Sequence, residues 1–261
     1  DYWDNESQGM VDGVLQIRQP GSSLKPFTYA TALDKGFAPN HLLADVEKIY
    51  PSQIGDYIPE NYNRRYMGPV MFRLALANSL NVPAVELMQQ MGIEPLYKKL
   101  KQLSFSQVVE RPEYYGLGMT LGNVEASLFE LVRAYSIFAR QGIFCDLDFI
   151  KQDLNKDEKK CHQADSRQIF SHETVSMIRD FLSDRHARTQ AFGTGGPLDF
   201  EYPVMIKTGT SQNYRDNWTV AVTPDYTIGV WVGNFNGDPM QEISGVTGAA
   251  PIAHAIVEHL Y

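Results

Sequence analysis

Residues 204–232 read VMIKTGTSQNYRDNWTVAVTPDYTIGVWV and alternate short β-rich runs with turn residues. The runs 204–206, 218–222 and 227–232 are rich in β-branched and aromatic residues, which favour strands. Pro224 and Asp225 separate the last two runs, and so short a connection is typical of an antiparallel hairpin. The stretch therefore predicts an antiparallel β-sheet in this part of the chain.

Outward from this stretch, the apolar spacing is mostly helical. Helices are predicted over 26–36, 70–80, 83–91, 94–103, 124–140, 172–185 and 249–260. Residues 37–69 are rich in Pro, Asn, Tyr and Gly and predict a long ordered loop, whereas 11–17 predicts a further strand. Helices grouped in the middle and strands toward the ends predict an α+β fold, an antiparallel sheet covered by helices.

Composition restricts the class of protein. The 261 residues, 43% hydrophobic and 21% charged, suit one large folded domain or two small ones. The net charge of −8 disfavours nucleic acid as a partner, because phosphate binding needs a basic surface. The sequence contains no run of about 18 apolar residues, so we expect no membrane contact by this part of the chain.

The cysteines and histidines indicate no cofactor. Cys145 and Cys161 bracket a polar stretch, and either a bridge in an oxidising compartment or two unpaired thiols fits them equally. His162 lies beside Cys161, but no second ligand pair completes a zinc set. We therefore expect no metal and no cofactor.

One tetrapeptide carries the elements of nucleophilic catalysis. Ser22-Ser23-Leu24-Lys25 precedes the first predicted helix, and residues three apart lie on one helical face. A serine needs an adjacent base to become a nucleophile, and a desolvated neutral lysine can supply one. The motif alone is weak evidence, because Ser22 could be only a helix cap.

Two further motifs add weight to it. Ser79-Leu80-Asn81 lies at the end of a helical run, where the Ser79 hydroxyl could relay a proton and the Asn81 amide could hold a peptide group. All of these residues could be simple caps, and a second such motif, Ser211-Gln212-Asn213, shows how easily this pattern arises.

The third motif, Lys207-Thr208-Gly209-Thr210, ends a strand. Lys207 would favour the neutral form of Lys25, Gly209 would let a substrate approach the backbone, and the hydroxyls of Thr208 and Thr210 could bind a carboxylate. The alternative is an exposed strand lysine. The order of the three motifs and their local contexts favour a common site, and the trio is typical of penicillin-binding proteins and class A β-lactamases.

On these residues the chain resembles the transpeptidase domain of class A penicillin-binding proteins, most closely the 1C type. The resemblance covers nearly the whole chain: RQPGSSLKPF at 18–27 (the family usually has Thr at the place of Ser23), PENY at 59–62, GPV at 68–70, ANSLNVPA at 77–84, LGNVE at 121–125, ARQG at 139–142, KTGTS at 207–211, RDNW at 215–218, GVWVG at 229–233 and GAAP at 248–251. Residues 143–168 match no pattern of the family, and we assign them no function.

The resemblance implies a fold and a mechanism. The expected fold is that of penicillin-recognising enzymes, with helices on both sides of the sheet, over residues 1–261 as one domain. Ser22 would attack the D-Ala-D-Ala bond of a peptidoglycan stem peptide, with Lys25 as base and Ser79 as proton relay. Asn81, Lys207, Thr208, Gly209 and Thr210 would bind substrate, and the backbone N–H groups of Ser22 and Thr210 would form the oxyanion hole.

The resemblance also implies partners and a setting. The acyl group would pass to an amine of a second stem peptide, and β-lactam antibiotics would acylate the same serine. Relatives carry a strand segment, a glycosyltransferase domain and a membrane anchor upstream, and the 1C type a small domain downstream. We therefore expect a domain excised from a longer, membrane-anchored, extracytoplasmic bacterial protein, periplasmic where there is an outer membrane, and lacking the first strand or strands of its sheet.

Three other activities use the same motifs. A D,D-carboxypeptidase passes the acyl group to water, and a β-lactam sensor or inert scaffold has no turnover. A class A β-lactamase needs a glutamate in an E-x-x-L-N loop, and the nearest match, Lys151-Gln152-Asp153-Leu154-Asn155, has lysine there. That difference disfavours β-lactam hydrolysis and leaves transpeptidase first, with carboxypeptidase and sensor as alternatives.

Overall fold

The structure is a computed structural model that describes residue 3 and residues 9–51, 55–147 and 166–261. Cys161 and the 151–155 segment lie outside the described residues. The question of a Cys145–Cys161 bridge and the comparison with the β-lactamase loop therefore stay at the level of the sequence.

Most helices lie in the first two thirds of the described chain, and the three longest strands lie near its end. Their bounds are α1 Lys25–Asp34, β1 Leu42–Asp45, β2 Gly68–Met71, α2 Phe72–Ala77, α3 Asn81–Met91, α4 Ile93–Gln102, α5 Pro112–Tyr115, α6 Leu128–Ala139, β3 Ile143–Phe144, β4 Arg167–Gln168, α7 His172–Ser183, α8 Thr189–Phe192, β5 Met205–Thr210, β6 Asp216–Val222, β7 Thr227–Gly233 and α9 Ala249–Leu260. Short 3₁₀ helices cover Gly21–Leu24, Gly116–Leu121 and Gln212–Tyr214.

Strands β5, β6 and β7 form one antiparallel sheet in that order, with Thr208 opposite Thr219 and Trp218 opposite Trp231. Both faces of β5 and β6 are buried, and most of β7 is half-buried. Trp218 and Val220 point into the main core with α1, α6 and α7, whereas Ala221 packs with Val257 of α9 in a second apolar cluster. The α+β class, with helices on both sides of the sheet, is therefore confirmed.

Helix α1 runs through the middle of the main core. Every residue from Lys25 to Leu33 is buried, and Pro26 stands at the first turn, where its missing N–H leaves no bond unmade. Phe27 packs edge-to-face against Tyr135 of α6, with ring centroids 5.2 Å apart. The nucleophile motif is thus attached to the most deeply buried helix start described here.

Some predicted boundaries are wrong for identifiable reasons. Residues 11–17 form a turn instead of a strand, because the Asp12 side chain accepts the Val14 N–H at 3.0 Å and its carbonyl the Leu15 N–H at 3.2 Å. The loop at 37–69 contains a ribbon, since β1 pairs with β2. Helix α6 begins later than predicted because Ser127 and Glu130 form a capping box.

The helical run predicted over 70–80 is also interrupted. Its first residues belong to β2, and α2 ends at Ala77. Ser79 then adopts a positive φ of 55°, and α3 begins at Asn81. The Ser79–Asn81 motif therefore occupies a tight junction between two helices. Within the described residues, none of the helices is long and apolar enough to span a membrane.

Candidate active site

Ser22 lies in the single 3₁₀ turn that leads directly into α1. It is partly exposed, whereas its neighbours Ser23 and Lys25 are fully buried. The serine hydroxyl is thus carried at the surface by a segment whose other side chains are anchored inside. This is the arrangement that a nucleophile requires.

Strand β5 lies directly against this turn. A Cβ atom on Gly209 would come within 2.4 Å of the Pro20 carbonyl oxygen, and one on Gly21 within 2.3 Å of the Thr210 carbonyl oxygen. Real Cβ atoms do not approach so closely, so only glycine lets the two backbones meet here. The contact brings the backbone of Thr210 beside the segment that carries Ser22.

Three side chains fix the backbone of the turn. The Ser23 hydroxyl donates to the Pro20 carbonyl at 2.7 Å, and Tyr135 of α6 donates its hydroxyl to the Ser23 carbonyl at 2.5 Å. The Trp218 indole N–H of β6 donates to the Gln19 carbonyl at 2.8 Å. The turn is therefore held by the sheet and by α6 at once, which limits its freedom to shift.

Lys25 is buried and fully engaged at the helix junction. Its Nζ donates to the Ser79 carbonyl at 2.5 Å and to Asn81 Oδ1 at 2.7 Å, and lies 3.4 Å from the Ser79 hydroxyl. Burial, and secondly the charge of Lys207, lower the pKa of Lys25 well below its usual range. A lowered pKa favours the neutral form of the amine, which is the form that can act as a general base.

The Ser79 hydroxyl stands between two lysines. Lys207 Nζ donates to it at 2.8 Å and to the Thr208 carbonyl at 2.8 Å. Burial, and secondly the charge of Arg188, lower the pKa of Lys207 to about 7. Lys25, Ser79 and Lys207 therefore form a continuous chain of groups along which a proton can pass.

Asn81 is fixed by the loop that precedes β2. Its backbone N–H donates to Asn61 Oδ1 at 2.8 Å, and its side-chain NH₂ donates to the Glu60 carbonyl at 2.8 Å. Asn61 in turn donates to the buried Asp45 at 2.7 Å. The amide oxygen of Asn81 accepts a hydrogen bond from Lys25. The main contact of the Asn81 side chain within the site is therefore one that positions Lys25.

Thr208 is nearly buried and Thr210 partly exposed, at the end of β5. The Thr210 hydroxyl oxygen accepts the Gly245 N–H at 3.0 Å, which leaves its own O–H free to donate. The structure thus brings Ser22, Lys25, Ser79, Asn81 and the 207–210 segment to one place. No group of three or more His, Cys, Asp or Glu side chains that could hold a metal ion occurs in the described parts of the chain.

The sequence pointed to neither Arg188 nor the role of Asn61. Arg188 is buried and donates to the Leu182 carbonyl at 2.6 Å, and its pKa is lowered to about 10 by burial. It adds a third buried cation behind Lys207. Asn61 belongs to the PENY segment at 59–62. Its hydrogen bonds to α3 span about 20 residues of sequence, and no local pattern indicates them.

Comparison with known families finds similar proteins over nearly the whole chain. The family model described as "Penicillin binding protein transpeptidase domain" matches residues 5–258. Penicillin-binding protein 1C of Escherichia coli (strain K12) is 33% identical over 257 residues, which is 98% of this chain and 31% of the relative. Penicillin-binding protein 1A of Aquifex aeolicus (strain VF5) is 33% identical over 84% of this chain and 30% of the relative. The chain thus spans about a third of the length of these relatives.

Solved structures share the fold. Penicillin-binding protein 1A from Haemophilus influenzae superposes with a TM-score of 0.77 at 21% identity, over 97% of this chain and 44% of that one. An imipenem acyl-enzyme complex of penicillin-binding protein A from M. tuberculosis superposes with a TM-score of 0.74 at 19% identity, over 98% and 63%. At these identities the likeness shows the fold.

Proposed function

This chain belongs to the penicillin-binding protein transpeptidase domain family, and on that premise we propose that it cross-links peptidoglycan stem peptides through an ester on Ser22. The observation that carries the proposal is the chain of hydrogen bonds from Lys25 through Ser79 to Lys207. Acyl transfer through a serine requires a base close to the hydroxyl, and the lowered pKa of Lys25, three residues after Ser22, supports that role.

In the first half of the reaction, Lys25 takes the proton of the Ser22 hydroxyl. The Ser22 oxygen then bonds to the carbonyl carbon between the two terminal D-alanines, and the carbon–nitrogen bond breaks. The leaving D-Ala nitrogen takes a proton from the Ser79 hydroxyl, and Ser79 regains one from Lys25 or Lys207. Thr208 and Thr210, beside Lys207, bind the terminal carboxylate.

The transition state carries negative charge on the former carbonyl oxygen. The backbone N–H groups of Ser22 and Thr210 are the proposed donors to it, and the contact between Gly21 and Thr210 supports this pairing. Removing one such donor typically costs about 2.7–4 kcal/mol of transition-state stabilisation. The close packing of β5 against the turn therefore bears directly on rate.

In the second half an amine replaces D-Ala. Its nitrogen bonds to the ester carbon, the bond to the Ser22 oxygen breaks, and one amine proton returns to that oxygen through Ser79 or Lys25. If water enters instead, the same residues give a carboxypeptidase. In a β-lactam the strained amide would take the place of the peptide bond, and the ester would persist, as in the imipenem acyl-enzyme named above.

The family also supports a setting for the reaction. We infer that residues 1–261 act as one domain of a longer protein on the extracytoplasmic side of a bacterial membrane, where peptidoglycan lies. An anchor and a glycosyltransferase activity belong to this inference and rest on the class A relatives. The −8 net charge is compatible with a peptide substrate and unsuited to nucleic acid.

The test uses a stem pentapeptide that ends in D-Ala-D-Ala, with and without a second peptide that bears a free amine. Mass spectrometry should detect a cross-linked amide when the acceptor is present. Ser22→Ala should abolish it. Ser23→Ala, which removes the adjacent hydroxyl and its bond to the Pro20 carbonyl, should slow the reaction and still give the cross-linked amide. Hydrolysed product alone, with acceptor in excess, would assign the carboxypeptidase activity instead.

A further inference from the structure

Two tyrosines join the two sides of the proposed site. Tyr62 follows Asn61, the residue that fixes Asn81, and Tyr214 lies just beyond the end of β5. Their ring centroids are 6.2 Å apart at 85°, an edge-to-face contact. Since Tyr62 is 68% exposed, most of its ring remains open to a ligand.

Tyr214 is held in place by an uncommon backbone. Asn213 and Tyr214 both have positive φ, at 58° and 57°. Non-glycine residues keep such angles only where the surroundings enforce them, and such residues concentrate at functional sites. The Tyr214 N–H donates to the Ser211 carbonyl at 3.2 Å, and its carbonyl accepts the Met240 N–H at 3.2 Å. These bonds fix Tyr214 between β5 and the 239–242 segment.

A groove runs from Tyr214 along that segment, and its lining residues are Asn213, Tyr214, Pro239, Met240, Gln241 and Glu242. Glu242 is exposed and lines this groove together with Tyr214, whose ring contacts that of Tyr62. Hydrogen bonding to Tyr214, partial burial and the charges of Tyr214 and Glu242 raise the pKa of Tyr62 to about 12, so its ring stays neutral. Aromatic faces beside a carboxylate are the surroundings that a primary ammonium group prefers.

The groove adjoins the place where the leaving group departs. The Gly245 N–H donates to the Thr210 hydroxyl at 3.0 Å, which ties the chain after the groove to a residue proposed to bind the terminal carboxylate. The leaving D-Ala is the residue that carries this carboxylate, so it departs from beside Thr210. An amine that attacks the ester follows the path of the leaving nitrogen in reverse, so it arrives from the same side.

We propose that Tyr62, Tyr214 and Glu242 form the subsite that binds the primary ammonium group of the acceptor peptide. This inference rests on the proposed function. The bound ammonium releases one proton to solvent, and the neutral amine then bonds to the ester carbon while the bond to the Ser22 oxygen breaks. The second proton of the amine returns to that oxygen, and an amide and free Ser22 result.

The test supplies a stem pentapeptide as the donor and a tripeptide with a free side-chain amine as the acceptor. The acceptor is kept at one subsaturating concentration, and the measured quantity is the ratio of amide to hydrolysed product. Both products arise from one acyl-enzyme, so the ratio is insensitive to the rate of acylation. Glu242→Gln should lower the ratio about fivefold, and Tyr62→Leu about threefold. Glu173→Gln, an exposed glutamate at the start of α7, is the matched control and should leave the ratio unchanged.

A higher salt concentration should lower the ratio in the unmodified chain and have little effect on Glu242→Gln, because salt screens exposed charges. The subsite would be overturned if Glu242→Gln and Tyr62→Leu gave the same ratio of amide to hydrolysed product as the unmodified chain. Failure of the proposed function is distinguishable, because it shows in the unmodified chain itself. That chain would then form no ester on Ser22, or it would form hydrolysed product without any amide.

Discussion

At the scale of single residues, the site depends on three buried basic side chains. Arg188, Lys207 and Lys25 are each at most 3% exposed. Burial disfavours the charged form of each side chain. In addition, the charge of Arg188 lowers the pKa of Lys207, and the charge of Lys207 lowers that of Lys25. Both lysines therefore lose their protons far more readily than lysines in water. Burial first, and neighbouring positive charge second, therefore favour the neutral form of Lys25 that the proposed mechanism needs.

Lys207→Met tests this electrostatic coupling. The charge of Lys207 disfavours protonated Lys25, so its removal should raise the pKa of Lys25. Lys25 would then be neutral only at higher pH. We expect the acidic limb of the pH profile of kcat/KM for penicillin acylation to move to higher pH, whatever the loss in absolute rate.

The control is Lys98→Met, which removes an exposed lysine on α4 and should leave the limb in place. An acidic limb at the same pH in Lys207→Met and the unmodified chain would show that Lys207 does not act on the base.

At the scale of elements, close contacts between backbones position the 3₁₀ turn that carries Ser22. Gly122 follows the 3₁₀ helix Gly116–Leu121, and a Cβ atom on it would lie 2.3 Å from the Gly21 nitrogen. This contact is backbone against backbone and cannot be relieved by rotating a side chain. The turn with Ser22 is thus confined by Gly122 on one side and by β5 on the other.

Gly122→Ala and Gly36→Ala form a matched pair. The two glycines have φ values of 96° and 94°, but a Cβ atom on Gly36 would meet nothing within 4 Å. Both variants bear the strain of left-handed backbone, about 1–2 kcal/mol. Only Gly122→Ala also overpacks, at a further cost of roughly 1–3 kcal/mol.

Two measurements on both variants test this comparison: the free energy of unfolding by denaturant and the rate of acylation by penicillin. We expect the acylation rate to fall at least about tenfold in Gly122→Ala and to change little in Gly36→Ala. Equal losses in the two variants would mean that the contact with Gly21 does not position Ser22.

The elements themselves were largely predictable from sequence, and their junctions were not. The strands β6 and β7 and the helix α9 follow from local patterns, and α9 has the predicted bounds. The β1–β2 ribbon was missed because Pro69 and short strands hide its alternation. The motifs predict which residues form the candidate site. The bonds of Asn61 to α3 and the effect of Arg188 on Lys207 join different elements, and periodicity carries no information on them.

At the scale of the whole molecule, the site reduces the stability of the fold at low pH. The pKa of Lys207 is about 7 in the folded chain, against about 10.4 for an unperturbed lysine. Between these values the unfolded chain binds more protons, so the free energy of unfolding rises with pH, by up to about 1.4 kcal/mol per unit. Below pH 7 the folded chain bears the full cost of burying the charge.

Lys207→Met should remove this pH dependence. From pH 7 to pH 9 the free energy of unfolding of the unmodified chain should gain roughly 2 kcal/mol relative to the variant. Urea unfolding at the two pH values measures the difference. Parallel changes in the two proteins would show that Lys207 keeps an ordinary pKa in the folded state.

The measurement that tests the central claim most directly is labelling with a tagged penicillin, followed by peptide mapping of the adduct by mass spectrometry. The account predicts one adduct per chain, on Ser22, that is lost in Ser22→Ala and retained in Ser23→Ala. An adduct on any other residue, or one that persists in Ser22→Ala, would contradict it.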